Sequence, residues 1–258
     1  MSIGDITNLG IAGIASGYFM INNDVYCSHP TLIFILGAFA FSLWVYNDVL
    51  TLVLAISRSF YMLSPATAEQ YFYGYRTYLW LIPPIMIWLW TFLFTPPVLF
   101  SSVLTSWVFQ PYAGFPEAEK HDIRNIYHTI NNYFVCASQI ILYTLVTIIH
   151  LYLNQNRITQ ANRKKAKLTG IGLFFQSASM CAITVTTAVL YVIGESVSVP
   201  PWFITTAHTF WILTHGFPGV IFLIANKTLK TKIKNWIPYK STHGNVTKVQ
   251  PRKSTTKY

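Results

Sequence analysis

The sequence predicts an all-α membrane protein, a polytopic bundle of helices that crosses the bilayer several times. Only 10% of the 258 residues are charged and 53% are hydrophobic, whereas ordinary soluble domains carry about 25% charged residues. Several apolar runs reach the length of about 20 residues that a helix needs to cross the hydrocarbon core. The basic residues collect in alternate joints between these runs, a distribution that is typical of cytoplasmic loops.

Six apolar runs are long enough to cross a membrane. Four of them contain no Asp, Glu, Lys or Arg; the second contains Asp48, and the first is weaker because it contains Asp5, Asn8 and four glycines. The first run lacks the basic start of a secretory signal peptide, so we interpret it as a span. The joints leave no room for a separate soluble domain, so residues 2–225 are predicted to form one transmembrane bundle. The predicted spans are residues 2–21, 31–57, 78–100, 132–154, 169–194 and 201–225.

The distribution of basic residues predicts the orientation of these spans. The formal net charge is +10, and sixteen of the eighteen Lys and Arg residues lie between the second and third spans, between the fourth and fifth, or after residue 226. Lys and Arg mark cytoplasmic loops, so the carboxyl terminus is predicted to be cytosolic, and six crossings place the amino terminus there as well. A basic protein can also bind nucleic acid. Because these basic residues mark one side of a membrane, we predict no nucleic-acid partner.

The segment after the last span has its own pattern. Residues 227–237 place apolar side chains at helical spacing on one face and three lysines on another. We expect this amphipathic helix to lie on the anionic lipids of the inner leaflet, although a solvated basic tail is the alternative. Residues 239–258 have the polar composition of a disordered cytosolic tail.

Histidines in the spans make a membrane-bound enzyme or electron carrier worth weighing. They are His150, His208 and His215, and the last two lie seven residues apart on one predicted helix. No His-x-x-x-His box, Gly-x-Ser-x-Gly string or Cys-x-x-Cys pair accompanies them. We therefore predict no enzymatic activity, no metal and no cofactor.

Five local strings stand at fixed places relative to the spans. They are Val25-Tyr26-Cys27-Ser28-His29-Pro30, Gly74-Tyr75-Arg76-Thr77-Tyr78-Leu79-Trp80-Leu81, Phe94-Thr95-Pro96-Pro97-Val98-Leu99-Phe100, His128-Thr129-Ile130-Asn131-Asn132 and His215-Gly216-Phe217-Pro218. In this order they resemble the nematode serpentine receptors, most closely the class T group of seven-helix chemoreceptors. The resemblance implies an unknown small-molecule ligand and a heterotrimeric G protein as partners.

The resemblance also implies that the six spans correspond to helices two to seven, with Asp5 at the acidic position of helix two and helix one absent. A truncated gene product and a six-helix descendant are both open. The family's Asn-Arg pair at the inner end of helix three is only half kept, in Ser57-Arg58-Ser59. Cys27 stands where such receptors commonly form a disulfide with the second outer loop, yet residues 101–131 contain no cysteine.

Acids inside the spans are candidate site residues. An ionisable side chain in a membrane helix is by default a functional hypothesis, because leaving it unpaired in lipid is costly. For Asp48, with its neighbours Asn47 and Tyr46, ligand binding and helix packing are equally open. Asp5 lies near the start of a weak span, where a structural or solvated role is favoured over a switch.

Other candidates concern coupling and movement. Arg58 and the joint that holds Arg163, Lys164 and Lys165 would face a G protein, although orientation and lipid headgroups also explain basic residues at a membrane edge. In the last span, Gly216 and Pro218 are interpreted as a hinge, because proline removes an N–H and can kink a helix. Static membrane proteins contain such kinks too.

The leading functional prediction is a chemosensory G-protein-coupled receptor-like protein that senses a small molecule. A truncated, non-signalling remnant is the main alternative, because the loss of one helix removes packing partners from others. A small transporter or channel is a further alternative, of which paired intramembrane charges and an internal repeat would be the signs.

Overall fold

The computed structural model describes residues 2–112, 124–156 and 160–225, most of which are helical. The first helical segment has three parts, α1 (Ser2–Leu9), a π-helix (Gly10–Ala15) and α2 (Ser16–Ile21). It is followed by α3 (Pro30–Leu63), α4 (Pro65–Phe72), α5 (Arg76–Leu79) and α6 (Ile82–Phe94). The strands β1 (Leu99–Ser101) and β2 (Ser106–Val108) precede the helices α7 (Ile126–Asn156), α8 (Gln160–Ser196) and α9 (Pro201–Ala225). The predicted amphipathic helix at 227–237 and the tail at 239–258 lie outside the described residues.

Within the described residues, four helical segments are long and apolar enough to cross a membrane, and each overlaps a predicted span. They are Pro30–Tyr61, Arg76–Phe94, Ile126–Ile149 and Ala178–Ser196. The first helical segment and α9 complete the assembly: α1 packs against α3 and α9, and α9 packs against α8. The fold is thus the all-α membrane helix bundle that the sequence predicts.

Several helices extend beyond the apolar runs. Helix α3 continues past Ser57 to Leu63. Helix α7 reaches Asn156 and α8 begins at Gln160, both within the polar joint predicted for residues 155–168. Lys, Arg, Gln and Ala, which are frequent in this joint, have high helix propensity and readily continue a helix into water. An apolar run therefore marks the part of a helix that lies in lipid, and not the end of the helix.

The predicted span at 78–100 is divided by its prolines. Pro83 and Pro84 occupy the first turn of α6, where the missing N–H groups have no intrahelical partner to lose. At the other end, α6 stops at Phe94, before the predicted bound at residue 100. Thr95 is extended, with φ −119° and ψ 149°, because Pro96 disfavours helical backbone in the residue before it. The rest of the run enters β1.

The β1–β2 hairpin folds over one end of the bundle, which we call the hairpin end. The strands are antiparallel, and their central pair, Phe100 and Trp107, is buried in the hydrophobic core. Gly37 of α3 permits this close approach, since a Cβ atom there would lie 1.7 Å from the carbonyl oxygen of Val98. The hairpin end is formed by the joints that the charge distribution predicts to be outside the cell.

Cys27 lies at the hairpin end as a free, exposed thiol. Its Sγ lies 3.1 Å from the hydroxyl of Tyr112. This hydrogen bond, together with burial, raises the pKa of Tyr112 from 10.0 to about 12. Cys27, for which residues 101–131 offer no disulfide partner, therefore makes a polar contact with Tyr112 instead.

Candidate functional site

A cavity of about 280 Å³ lies at the hairpin end, bounded by α3, the hairpin, α7, α8 and α9. Most of its wall is aromatic or aliphatic, and a few polar side chains converge on it. Cavities of this composition are typical of small-molecule sites. The aromatic residues are Phe41, Trp44, Trp107, Phe109, Tyr191, Phe203 and Trp211, and the polar or charged ones are Gln110, Arg124, His128 and Glu195.

His128 and Glu195 form a polar pair in this wall, between α7 and α8. Nδ1 of His128 contacts Oε1 of Glu195, and the Thr129 hydroxyl donates to Oε2 over 2.8 Å. The amide nitrogen of Asn132, which can only donate, lies 3.2 Å from Nε2 of His128. Nε2 is therefore the acceptor, and the imidazole proton lies on Nδ1, toward the carboxylate.

The start of α7 places His128 in the wall. The side-chain oxygen of Asn125 accepts from the backbone N–H groups of Tyr127 (3.0 Å) and His128 (3.3 Å), as an N-cap does. Its amide nitrogen donates to the carbonyl of Pro96 over 2.9 Å. One residue thus caps α7 and ties it to the segment that follows α6.

Aromatic rings enclose the His128 imidazole, which is 1% exposed. The ring centroids of Phe41, Trp44, Phe109 and Tyr191 lie 4.9 to 5.7 Å from its own. These rings come from α3, from the segment after β2 and from α8. Because all four also line the cavity, the imidazole and the cavity share one aromatic wall.

Trp107 connects the cavity to the first helical segment. Its indole N–H donates to the Ser16 hydroxyl over 2.8 Å, and that hydroxyl donates to the Ile11 carbonyl over 3.1 Å. From the other side, Nε2 of His208 lies 3.0 Å from the Ala12 carbonyl. The π-helix is therefore held by the hairpin and by α9, and short π segments occur frequently at functional sites.

A polar cluster centred on His215 lies deeper in the bundle. The indole N–H of Trp211 donates to Nε2 of His215 over 3.1 Å, so Nε2 is an acceptor. Nδ1 then carries the proton and faces Oδ1 of Asp5 at 3.0 Å. The Asn8 amide also lies 3.1 Å from Nε2, and in the orientation that satisfies most of its partners it donates to the Ala40 carbonyl over 3.2 Å and accepts from the Trp44 N–H over 3.3 Å. Helices α1 and α9 are joined by this imidazole.

A second cavity, of about 20 Å³, adjoins the cluster. It brings together four residues that the sequence singles out, Asp5, Asn47, Asp48 and Pro218. Its volume suffices for about one water molecule. Oδ2 of Asp48 accepts from the Asn131 amide over 2.7 Å, which joins α3 to α7.

The comparisons with known proteins identify the family. A family model described as "Serpentine type 7TM GPCR chemoreceptor Srt" matches residues 1–246. The chain belongs to this chemoreceptor family. No curated protein and no solved structure matches it. The predicted resemblance to the class T serpentine receptors is confirmed. The family and the apolar helices support a multi-pass membrane protein, and the family is a class of receptors, which is not a class of enzymes.

Among the remaining candidate residues of this Srt receptor, Tyr46 and Gly216 are not in the described lining of either cavity. Tyr46 is half-buried on α3, beside Asn47. Gly216 is where α9 approaches α1, since a Cβ atom there would lie 3.6 Å from Cδ2 of Leu9. Arg58 belongs to α3, and Arg163, Lys164 and Lys165 belong to α8. The side chains of these four basic residues are outside the part of the chain that the structure describes.

The wall of the larger cavity was not singled out by the sequence. The sequence pattern singles out His128 only through the family resemblance, and His215 only through that resemblance and as a histidine within a span. Glu195, directly after the predicted span at 169–194, is not singled out. A signal was present, because ionisable residues in or beside membrane helices usually have a function. Within the described residues, no group of three His, Cys, Asp or Glu side chains could hold a metal ion.

Proposed function

We propose that this Srt receptor binds a small molecule in the cavity at the hairpin end, and that occupancy of the cavity changes the packing around His215. The observation that carries the proposal is the position of Trp211. Its ring lines the cavity, and its N–H donates to His215. Trp211 is therefore in contact with the ligand site and with the polar cluster at once.

The cluster is suited to pass on a displacement of Trp211. His215 belongs to α9, faces Asp5 and Asn8 of α1, and lies 3.4 Å from the Asn47 amide of α3. A rotation of the indole changes the hydrogen bonds of one imidazole, and hence the relation of three helices. A ligand favours one arrangement only by the difference in its affinity for the two.

The receptor would couple to a heterotrimeric G protein at the end opposite the hairpin. The Lys and Arg residues of the joints support this orientation, because such residues mark cytoplasmic loops, and it places both termini in the cytosol. Arg58 on α3 and Arg163, Lys164 and Lys165 on α8 are the residues we assign to the G-protein surface. The acidic headgroups of the inner leaflet would bind the same basic side chains.

A cell assay tests the ligand site. Cells that carry the receptor, a promiscuous G-protein α subunit and a calcium reporter are exposed to a chemically diverse panel of small organic molecules. Ala207 is buried and lines the cavity, so Ala207→Leu fills the cavity and should abolish the response. Ala182 is exposed on α8, and Ala182→Leu is the matched control, which should respond normally at equal surface expression.

A second variant separates binding from transmission. Trp211→Phe keeps an aromatic ring in the wall but removes the N–H that His215 accepts. It should bind an active compound with little loss and respond to it weakly. A response that persists in Ala207→Leu contradicts the proposed site. A receptor that stays inside the cell, or that answers no compound of the panel, supports the alternative of a non-signalling remnant.

A further inference from the structure

We infer that the cavity at the hairpin end takes a small organic amine, whose ammonium group lies against Glu195 and the surrounding aromatic rings. The inference rests on the proposed function, because it names the chemical class of ligand for the same cavity. Three properties of the wall carry it: the position of one carboxylate, the exposure of the only arginine that lines the cavity in the described residues, and the abundance of tryptophan and tyrosine.

Glu195 has hydrogen-bonding capacity left for a ligand. A carboxylate offers about four lone-pair sites. His128 contacts Oε1 and Thr129 donates to Oε2, so each oxygen has one hydrogen bond. Both contacts hold the side chain in the wall, and the lone pairs that remain can accept from a ligand N–H. Hydrogen bonds to charged groups contribute more to binding than neutral ones do.

The charge balance in the cavity favours a cation. The side chain of Glu195 is 19% exposed, whereas Arg124, which also lines the cavity, is an exposed residue. Solvent and salt screen an exposed charge more strongly than a buried one. A carboxylate ligand placed deep in this cavity would face Glu195 at short range, and like charges in a poorly screened site repel each other.

The aromatic wall favours the same class of ligand. Trp44, Trp107, Tyr191 and Trp211 all line the cavity, and Trp44 contacts Tyr191 and Trp211 with ring centroids 5.0 and 5.9 Å apart. Tryptophan and tyrosine faces attract ammonium groups, and the attraction grows when the cation is desolvated. An apolar body attached to the ammonium would be buried among the aliphatic residues of the wall.

Three probes of nearly equal shape test the inference: 2-phenylethylamine, 2-phenylethanol and phenylacetate. The full chain is placed in lipid nanodiscs, and binding is followed by quenching of tryptophan fluorescence and by the shift of the thermal unfolding midpoint. We expect the amine to bind about tenfold or more tightly than the alcohol, and phenylacetate to bind most weakly. This preference is measured on the unaltered chain, so it does not depend on whether any variant folds.

Variants then locate the charge. Glu195→Gln preserves the side-chain shape and should weaken amine binding by about tenfold while leaving the alcohol unchanged. Thr129→Val removes a neutral donor but keeps the charge and the His128 contact of Glu195, and should weaken amine binding less than Glu195→Gln does. Glu69→Gln, at an exposed position on α4, is the matched control and should change nothing.

The outcomes separate the inference from the proposed function. If the alcohol or phenylacetate binds as tightly as the amine, and Ala207→Leu abolishes that binding, the cavity is a ligand site but the cation is rejected. Amine binding that is unchanged in Glu195→Gln also rejects it. If none of the three probes binds while a compound of the panel evokes a response that Ala207→Leu abolishes, the proposed site stands and the amine is rejected.

Discussion

The indole N–H of Trp211 donates a hydrogen bond to Nε2 of His215, 3.1 Å away and one turn further along α9. Both side chains are buried, at 2% and 3% exposure. Because Trp211 lines the cavity and His215 faces Asp5, this bond directly connects the proposed ligand site to the polar cluster. Its consequences can be measured on stability as well as on signalling.

Replacement of His215 by Phe should destabilise the folded receptor by about 2 to 5 kcal/mol. The ring volume is kept, but Asp5, Asn8 and Trp211 lose the group they contact, and unsatisfied buried polar groups are costly. Chemical unfolding in detergent micelles measures the change. His29→Phe is the matched control, because the His29 side chain is 49% exposed and lies 3.8 Å from Asp24, so its loss should matter little. Equal effects of the two substitutions would contradict the central role of His215.

The hydrogen bond between Asp48 and Asn131 provides a test of the two roles that the sequence leaves open for Asp48. If Asp48 serves helix packing, a double-mutant cycle of Asp48→Ala and Asn131→Ala should give a coupling energy of about 1 kcal/mol between α3 and α7. Ligand responses of the single variants, corrected for surface expression, should then stay close to wild type. A coupling near zero with a lost response would instead favour ligand binding.

The sequence predicts the helical parts of this receptor well, because the apolar residues of each run are enough to make that run helical in a membrane. A run such as 31–57 must be a helix in lipid, where backbone groups have no other partners. The π-helix at Gly10–Ala15 and the hairpin are different, since their residues carry no distinctive local pattern. The hairpin depends on the absence of a side chain at Gly37 and on the burial of Trp107, which are relations between distant parts of the chain.

The same reason explains why the candidate site was only partly predicted. Asp5 and Asp48 were singled out because each is an acid in an apolar run, and the structure brings both to the smaller cavity. That His215 would stand beside Asp5 could not be inferred, because 210 positions separate them. Glu195 ends an apolar run and reads as an ordinary boundary residue until α7 places His128 against it.

Gly37→Ala should destabilise the receptor by about 1 to 3 kcal/mol or more and loosen the hairpin. The new methyl group would lie 1.7 Å from the Val98 carbonyl oxygen, so α3 and the hairpin must move apart. Gly17→Ala is the matched control in α2, where a Cβ atom meets nothing within 4 Å, and it should be neutral or slightly stabilising. Unfolding midpoints and proteolysis near the hairpin measure both effects.

The orientation predicted from the basic residues can be tested by glycosylation. The chain contains two acceptor sequences, Asn226-Lys227-Thr228 and Asn245-Val246-Thr247, both on the side predicted to be cytosolic, and neither should carry a glycan. A new acceptor made by Ala118→Asn with Lys120→Thr, on the opposite side, should be glycosylated. A mobility shift that glycosidase treatment removes is the readout. Glycan on Asn226 or Asn245 would reverse the orientation.

Tyr112 and Cys27 give a prediction for pH at the hairpin end. The hydrogen bond between them favours the neutral phenol and raises the pKa of Tyr112 to about 12 from 10.0. An acid whose pKa is raised by folding contributes stability while it is protonated. The contribution is therefore complete below pH 10 and is lost as the pH rises toward 12.

Cys27→Ala removes the partner and should return the pKa of Tyr112 toward its ordinary value, whereas Cys27→Ser keeps a hydroxyl in place of the thiol and should preserve part of the shift. The phenolate absorbance at alkaline pH is titrated in each background with and without Tyr112→Phe, so that the difference isolates this one tyrosine. Midpoints that agree between the wild-type and Cys27→Ala backgrounds would show that the contact does not control the ionisation. A lowered midpoint in Cys27→Ala alone would assign the shift to the Cys27 thiol, because the other surroundings of Tyr112 are the same in both backgrounds.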